Sequence, residues 1–121
     1  MSNVKPRISV DYTQEAVVIT LADEKILQTA EIIALENSIL PVIEGKGAVK
    51  VVMNFTNVQF LSSSVLGLLI RISKKIYEQD GQLRLCNINS KIFSIFKITR
   101  LDKVFDICKD LPGAMNSLQQ T

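Results

Sequence analysis

A short run, V-K-V-V-M-N-F at residues 49–55, leaves the fewest options for the fold. It is too short for a core helix, and its Val51-Val52-Met53 centre lacks the alternation of a strand with one wet face. A strand buried on both sides belongs in the middle of a sheet that is covered above and below. Gly45-Lys46-Gly47 breaks the chain before it, and Thr56-Asn57 makes a polar turn after it. On either side the hydrophobic period changes to that of a helix. Upstream, Ile32, Ile33, Leu35, Ile39 and Leu40 recur at helical spacing behind Thr29 as N-cap, with Glu31 and Glu36 facing out. Pro41 kinks or ends this helix unless a final turn resumes through Val42, Ile43 and Glu44. Downstream, Val65, Leu69, Ile72 and Ile76 form one stripe, with Arg71, Lys74, Lys75 and Glu78 mostly off it, and Asp80-Gly81 stops the helix.

The rest of the chain extends this alternation. Residues 8–11 and 16–21 read as a hairpin about Tyr12-Thr13-Gln14-Glu15, its first strand at a sheet edge. Residues 82–87 alternate as a strand. Ser90 opens a helix with Ile92, Phe93, Phe96 and Ile98 inward. Residues 104–108 read as a short last strand, and 112–118 as a terminal helix. The order β-β-α-β-α-β-α-β, with a final α, predicts right-handed crossovers and a largely parallel sheet with an antiparallel hairpin. The expected fold is α/β: one domain over residues 1–121, a small mixed sheet of four or five strands, and helices mainly on one face.

Composition narrows the chemistry. The 121 residues are 47% hydrophobic and 21% charged, enough for one core without disulfide or metal staples. With no His, imidazole metal ligands and Ser-His or Cys-His nucleophiles are excluded. An enzyme is not expected, nor is a cofactor. Cys86 and Cys108 match no metal or redox spacing and read as core thiols in a reducing compartment. A net charge of +2, spread along the chain, offers no nucleic-acid stripe. Lys46 and Lys50 flank a turn. Arg71, Lys74 and Lys75 form either a solvated helix face or a site for an acidic partner. The first thirteen residues lack the apolar stretch of a signal peptide, and no apolar run is long enough to insert in a membrane. A cytoplasmic protein is expected. Asn54-Phe55-Thr56 fits a glycosylation pattern inside a buried strand. Ser94-Ile95-Phe96-Lys97 fits S-x-x-K without its companion motifs. Both read as chance.

Ser62-Ser63-Ser64 asks for more. One serine at a strand-to-helix junction caps the helix by accepting a backbone N–H. Three in succession leave a hydroxyl free there. A phosphate on it would meet unpaired N–H groups and the positive end of the helix dipole, and would add roughly −1.5 to −2 charges at neutral pH. Such a change switches a binding face without altering a fold.

Residues 49–70 resemble the central signature of the STAS domain, the fold of anti-sigma factor antagonists. The family's F-[MIL]-D-S-[ST]-G-[LI]-G is met by Phe60-Leu61-Ser62-Ser63-Ser64-Val65-Leu66-Gly67, with Ser62 at the aspartate and Val65 at the glycine. Thr29-Ala30-Glu31 resembles the opening of the family's first helix, and Gly81-Gln82-Leu83-Arg84-Leu85 its G-G-x-L-x-[LV] strand. Phe96, Thr99, Leu101, Val104 and Phe105 resemble its C-terminal pattern. The likeness covers residues 16–108 and leaves 109–121 as a short helix or tail. It implies a regulatory protein-binding module whose partner is an anti-sigma factor of the serine-kinase type. Ser63 is the implied phosphoacceptor, with Ser62 and Ser64 as alternatives, and a phosphatase restores the unmodified form. The implied partner face is Leu61, Ser62, Ser63, Ser64, Val65 and Gly67. Asp23 and Glu24 join it as the nearest carboxylates to an acidic family position that falls near Ile26. The alternative is a STAS subunit that is not phosphorylated and serves as a structural or scaffold component of a signalling or transport complex. A homo-oligomer is compatible with either.

Overall fold

The computed structural model describes residues 7–119. Strands β1 (Ile8–Tyr12) and β2 (Val17–Leu21) form the expected antiparallel hairpin, with Tyr12 opposite Val17. The Thr13 hydroxyl closes its turn, donating to the Ala16 carbonyl at 2.8 Å and accepting from the Ala16 N–H at 2.9 Å. Then come β3 (Lys25–Ile26), α1 (Thr29–Ile43), β4 (Lys50–Asn54), β5 (Phe60–Leu61) and α2 (Ser63–Glu78). They are followed by β6 (Gln82–Cys86), α3 (Ser90–Ile98), a 3-10 turn at Leu101–Lys103, β7 (Ile107–Cys108) and α4 (Leu111–Gln119). The main sheet has five strands in the order β1-β2-β4-β6-β7, and every pair beyond the hairpin is parallel.

The parallel strands step in one direction across the sheet. Crossovers of one hand then place their helices on one face, and α1, α2 and α3 share a single core. Ile19, Leu21, Val51, Met53, Leu83 and Leu85 point into it and meet Leu35, Ile39, Leu69, Ile72, Ile92 and Phe96. On the opposite face Ala16, Val18, Val52 and Cys86 lie under Ala114 and Leu118 of α4. The central strand is therefore covered on both sides, Val51 and Met53 by one layer and Val52 by the other. Among the described residues no helix is long and apolar enough to cross a membrane. Residues 1–6, where the expected domain begins, and the last two of the expected C-terminal helix or tail lie outside the described residues.

Several expected details are corrected. Gln28, not Thr29, is the cap of α1, and Glu31 turns back to accept the N–H groups of Leu27 and Gln28 at 3.2 and 2.9 Å. Those bonds hold its carboxyl below the ordinary range. Ile33 is exposed. Pro41 does not end α1: the final turn resumes, as the sequence reading allowed, and seats Ile43 in the core. Ile98, expected inward, is 81% exposed. At about 100° per residue it lies roughly 200° around α3 from Phe96, so both cannot face the core. The expected strand at 104–108 starts only at Ile107. Arg100 adopts a left-handed φ of 62°, and the 3-10 turn that follows carries Phe105 to the edge of the Phe96 ring, centroids 5.9 Å apart. Val104 is left in solvent.

Arg84 was not foreseen as a buried residue, since a charge in an alternating strand reads as a wet position. It is 7% exposed beneath α4. Its guanidinium donates to Ser117 Oγ at 2.8 Å, Asp106 Oδ2 at 3.3 Å, Gln82 Oε1 at 3.2 Å and the Leu83 carbonyl at 3.2 Å. This bonding lets a charge sit under a short helix. Cys86 and Cys108 are free thiols opposite one another on β6 and β7. Burial pushes Cys86 up to about 11, which fits an inert core thiol, while Cys108 is half-buried.

Candidate functional site

The serine junction is set by a small ribbon that the strand pattern did not announce. β3 and β5 pair in parallel, Lys25 beside Phe60 and Ile26 beside Leu61. The Glu24 carbonyl accepts the N–H groups of Gln59 and Phe60 at 2.8 and 3.1 Å, and the Ile26 carbonyl accepts that of Ser62 at 3.0 Å. Ile26 and Leu61 anchor the ribbon in the core. Loop 23–28 and the serines, two segments joined only by expectation, are thus physical neighbours.

Ser62 occupies the cap position of α2 with an extended backbone, φ −85° and ψ 161°. Its carbonyl accepts the Val65 N–H at 3.0 Å, but its side chain makes no capping bond. Ser62 Oγ is buried and, among the described residues, is the one buried side-chain oxygen or nitrogen without a partner. Capping by a serine hydroxyl, the simplest reading of the triplet, is therefore absent. No acidic side chain lies in the first turn of α2 either, so its N-terminal N–H groups meet neither a carboxylate nor the Ser62 hydroxyl. Ser63 and Ser64 are exposed on this first turn.

The other expected site residues divide. Gly67 sits at the surface, where an added Cβ would meet only the Arg71 guanidinium at 3.6 Å. Glu24 is exposed, while Asp23 is committed to Arg7 at 2.9 Å. The side chains of Leu61 and Val65 are buried in the core, so neither presents a side chain at the surface of the junction. Val65, at the position of the family's glycine, packs into the core beneath the junction. The basic face of α2 is largely spoken for as well. Arg71 holds Glu36 through two bonds at 3.0 and 2.9 Å, and Lys75 lies 3.4 Å from Glu44. The Arg71 guanidinium keeps the Glu36 carboxyl below its ordinary value. These pairs lace α2 to α1, and Glu36, expected outward, is half-buried between them.

Asn89 is a residue the sequence reading passed over. It caps α3, its Oδ1 accepting the Ile92 N–H at 2.8 Å, and its amide donates to the carbonyls of Val58 and Gln59 at 3.3 and 3.2 Å. One side chain thereby fastens α3 to the segment leading into β5. Asn89→Ala is expected to cost about 1–3 kcal/mol through the lost cap and freed carbonyls. Ser62→Ala, which removes a hydroxyl with no partner, should stay within about 0.5 kcal/mol. Urea midpoints of the two variants measure this. Equal losses would mean that the Ser62 hydroxyl is engaged after all.

The main sheet is five-stranded and mixed, with helices on both faces, and the serine-led helix follows a two-strand ribbon. Residues 7–114 match the STAS domain, and the chain belongs to that family. The anti-sigma F factor antagonist of Paenibacillus polymyxa is 20% identical over 113 residues, covering 93% of this chain and 95% of the relative. The anti-sigma-B factor antagonist of Listeria monocytogenes is 27% identical over 77 residues, 64% of this chain and 67% of the relative. Among solved structures, an anti-sigma-factor antagonist (STAS) domain protein from Planctomyces limnophilus superposes with a TM-score of 0.84 at 23% identity, over 93% of this chain and 97% of that one. The chain is an anti-sigma-factor-antagonist-like STAS domain.

Proposed function

We propose that the chain is a regulatory binding module that engages an anti-sigma factor of the serine-kinase type through the serine junction and the adjoining loop 23–28. In this reading Ser63 is the switch. The partner transfers the γ-phosphoryl group of ATP to Ser63 Oγ: the bond to ADP breaks, the new P–O bond forms, and the hydroxyl proton leaves to a base on the kinase. The added charge and bulk then dissociate the complex, and a phosphatase reverses the step. The observation that carries the reading is Ser63 itself, exposed on the first turn of a helix without an acidic first-turn residue, beside the loop that β3–β5 pairing holds against it. A phosphate there gains the helix dipole and costs the fold little. The names of the bacterial relatives support the choice of partner.

Ser63→Asp is expected to weaken partner binding at least about tenfold, a loss of 1.4 kcal/mol or more, while Ser63→Ala binds constitutively. Incubation with the kinase and ATP, followed by mass spectrometry of the peptide spanning 57–71, should show one added phosphate. A second reading is favoured by Ser62 and Val65 at the family's aspartate and glycine positions. In it, the domain is a structural or scaffold subunit that is never phosphorylated. An unmodified 57–71 peptide with the complex intact would establish that reading and overturn the first.

A further inference from the structure

Phe60 is an aromatic ring held open at the surface. It is 43% exposed on the short strand β5, immediately before the serines, while its neighbour Leu61 is buried. Two lysines from different elements converge on it. Lys25 of β3 places its Nζ 5.7 Å from the ring centroid, and Lys91 in the first turn of α3 places its Nζ at 5.5 Å. Backbone pairing sets the first approach, because Lys25 is the register partner of Phe60. The Asn89 clamp sets the second by tying the start of α3 to Val58 and Gln59.

These two cations differ from Arg7, Arg71, Lys75 and Arg84, each of which already faces a carboxylate. Among the described residues neither Lys25 nor Lys91 forms an ion pair. Both ammonium groups lie within cation–π range of the ring, which attracts them without neutralising them. An acidic segment therefore meets two positive charges set around one ring and breaks no existing pair, while the exposed ring offers apolar contact beside them. Phe60 also lines an open depression of about 620 Å³ with Ala22, Thr56, Asn57 and Gln59, large enough for side chains of a partner. Glu24 also lines the depression and disfavours an anion inside it, which directs negative charge to the lysines rather than into the depression.

We infer that Lys25, Phe60 and Lys91 form a docking site for an acidic polypeptide segment, one that sets carboxylates against the two lysines and an apolar side chain against the ring. The inference rests on the proposed partner face only for its place in a complex, because the site itself needs neither Ser63 nor a phosphate.

The test titrates the isotope-labelled full chain with a blocked Glu-Glu-Leu-Glu-Glu peptide, followed by NMR. A peptide with Lys in place of each Glu, inorganic phosphate, and phosphatidylglycerol vesicles are run in parallel. The acidic peptide is expected to give saturable shifts centred on Lys25, Phe60 and Lys91 that weaken as salt rises. Its affinity should fall about fivefold or more in the Lys25→Gln/Lys91→Gln double variant and again in Phe60→Ala, and stay unchanged in Lys46→Gln, an exposed lysine in the turn before β4. These are surface positions, and the spectra of the free variants verify that each stays folded. The inference is overturned if the acidic peptide produces no saturable shift, if the Lys peptide binds equally, or if phosphate alone reproduces the response. Vesicle binding that needs both lysines, with no peptide binding, would assign the site to a lipid surface instead. Because no kinase is present, failure here is separate from failure of phosphorylation at Ser63.

Discussion

Val51→Asp is expected to lower the stability of this protein by more than about 3 kcal/mol, the usual scale for an unpaired charge in a core. Val51 is fully buried on β4, flanked in the sheet by Val17 and Leu83, and points into the layer beneath α1 and α2. Among the described residues no cation belongs to that cluster. The new carboxyl then either ionises without a partner or takes up a proton, and the loss should grow as pH rises above the ordinary carboxylate range. Domains of this kind hold roughly 5–15 kcal/mol in all, so one substitution removes a large share. With a urea slope of about 1–3 kcal/mol per molar, the midpoint should fall by about 1 M or more. A midpoint equal to that of the parent would remove β4 from the centre of the sheet.

The second large effect is expected at Gly81, where the reason is space. Gly81 follows α2, and its N–H donates to the Ile76 carbonyl at 2.9 Å. A Cβ built there would overlap the Val49 carbonyl and lie 2.9 Å from Ile76 Cγ2 and 3.0 Å from the Ile76 carbonyl. Val49 cannot retreat easily, because its carbonyl also accepts the Gln82 N–H at 3.0 Å as β6 enters the sheet. Gly81→Ala should cost about 1–3 kcal/mol, at the upper end because two of the opposing atoms are backbone. The left-handed residue that ends α2 is Asp80, with φ 63°. Asp80→Gly should therefore be neutral or stabilising by up to about 1 kcal/mol. Thermal or urea unfolding of the two variants separates the roles. A tolerated Gly81→Ala together with a damaging Asp80→Gly would reverse them.

Much of this was legible in the chain. The Val51-Val52-Met53 run placed β4 at the centre because only a strand covered on both faces carries three consecutive apolar side chains at no cost in exposed area. Helical spacing found α1, α2 and α3 for an equally local reason, since a stripe at i, i+3 and i+4 has one way to face a core. Periodicity failed where a neighbour decides. It could not tell that Ile98 turns away while Phe96 turns in, or that Phe105 is drawn to Phe96 by a turn through a left-handed Arg100. It also gave no sign that Arg84 is buried, because nothing local reveals that α4 folds back over β6.

The site divides along the same line. The serine triplet and its position before a helix are local facts, so the chain's residues alone reveal where the hydroxyls stand and which family the chain resembles. That Ser63 and Ser64 face solvent, that Ser62 does not cap, and that Leu61 and Val65 belong to the core all depend on how the segments pack. The same packing decides that Lys25, Phe60 and Lys91, distant along the chain, share one surface. Their meeting depends on two-residue strands and a single asparagine clamp. Such contacts have no period, because they are made between segments that pattern alone cannot pair.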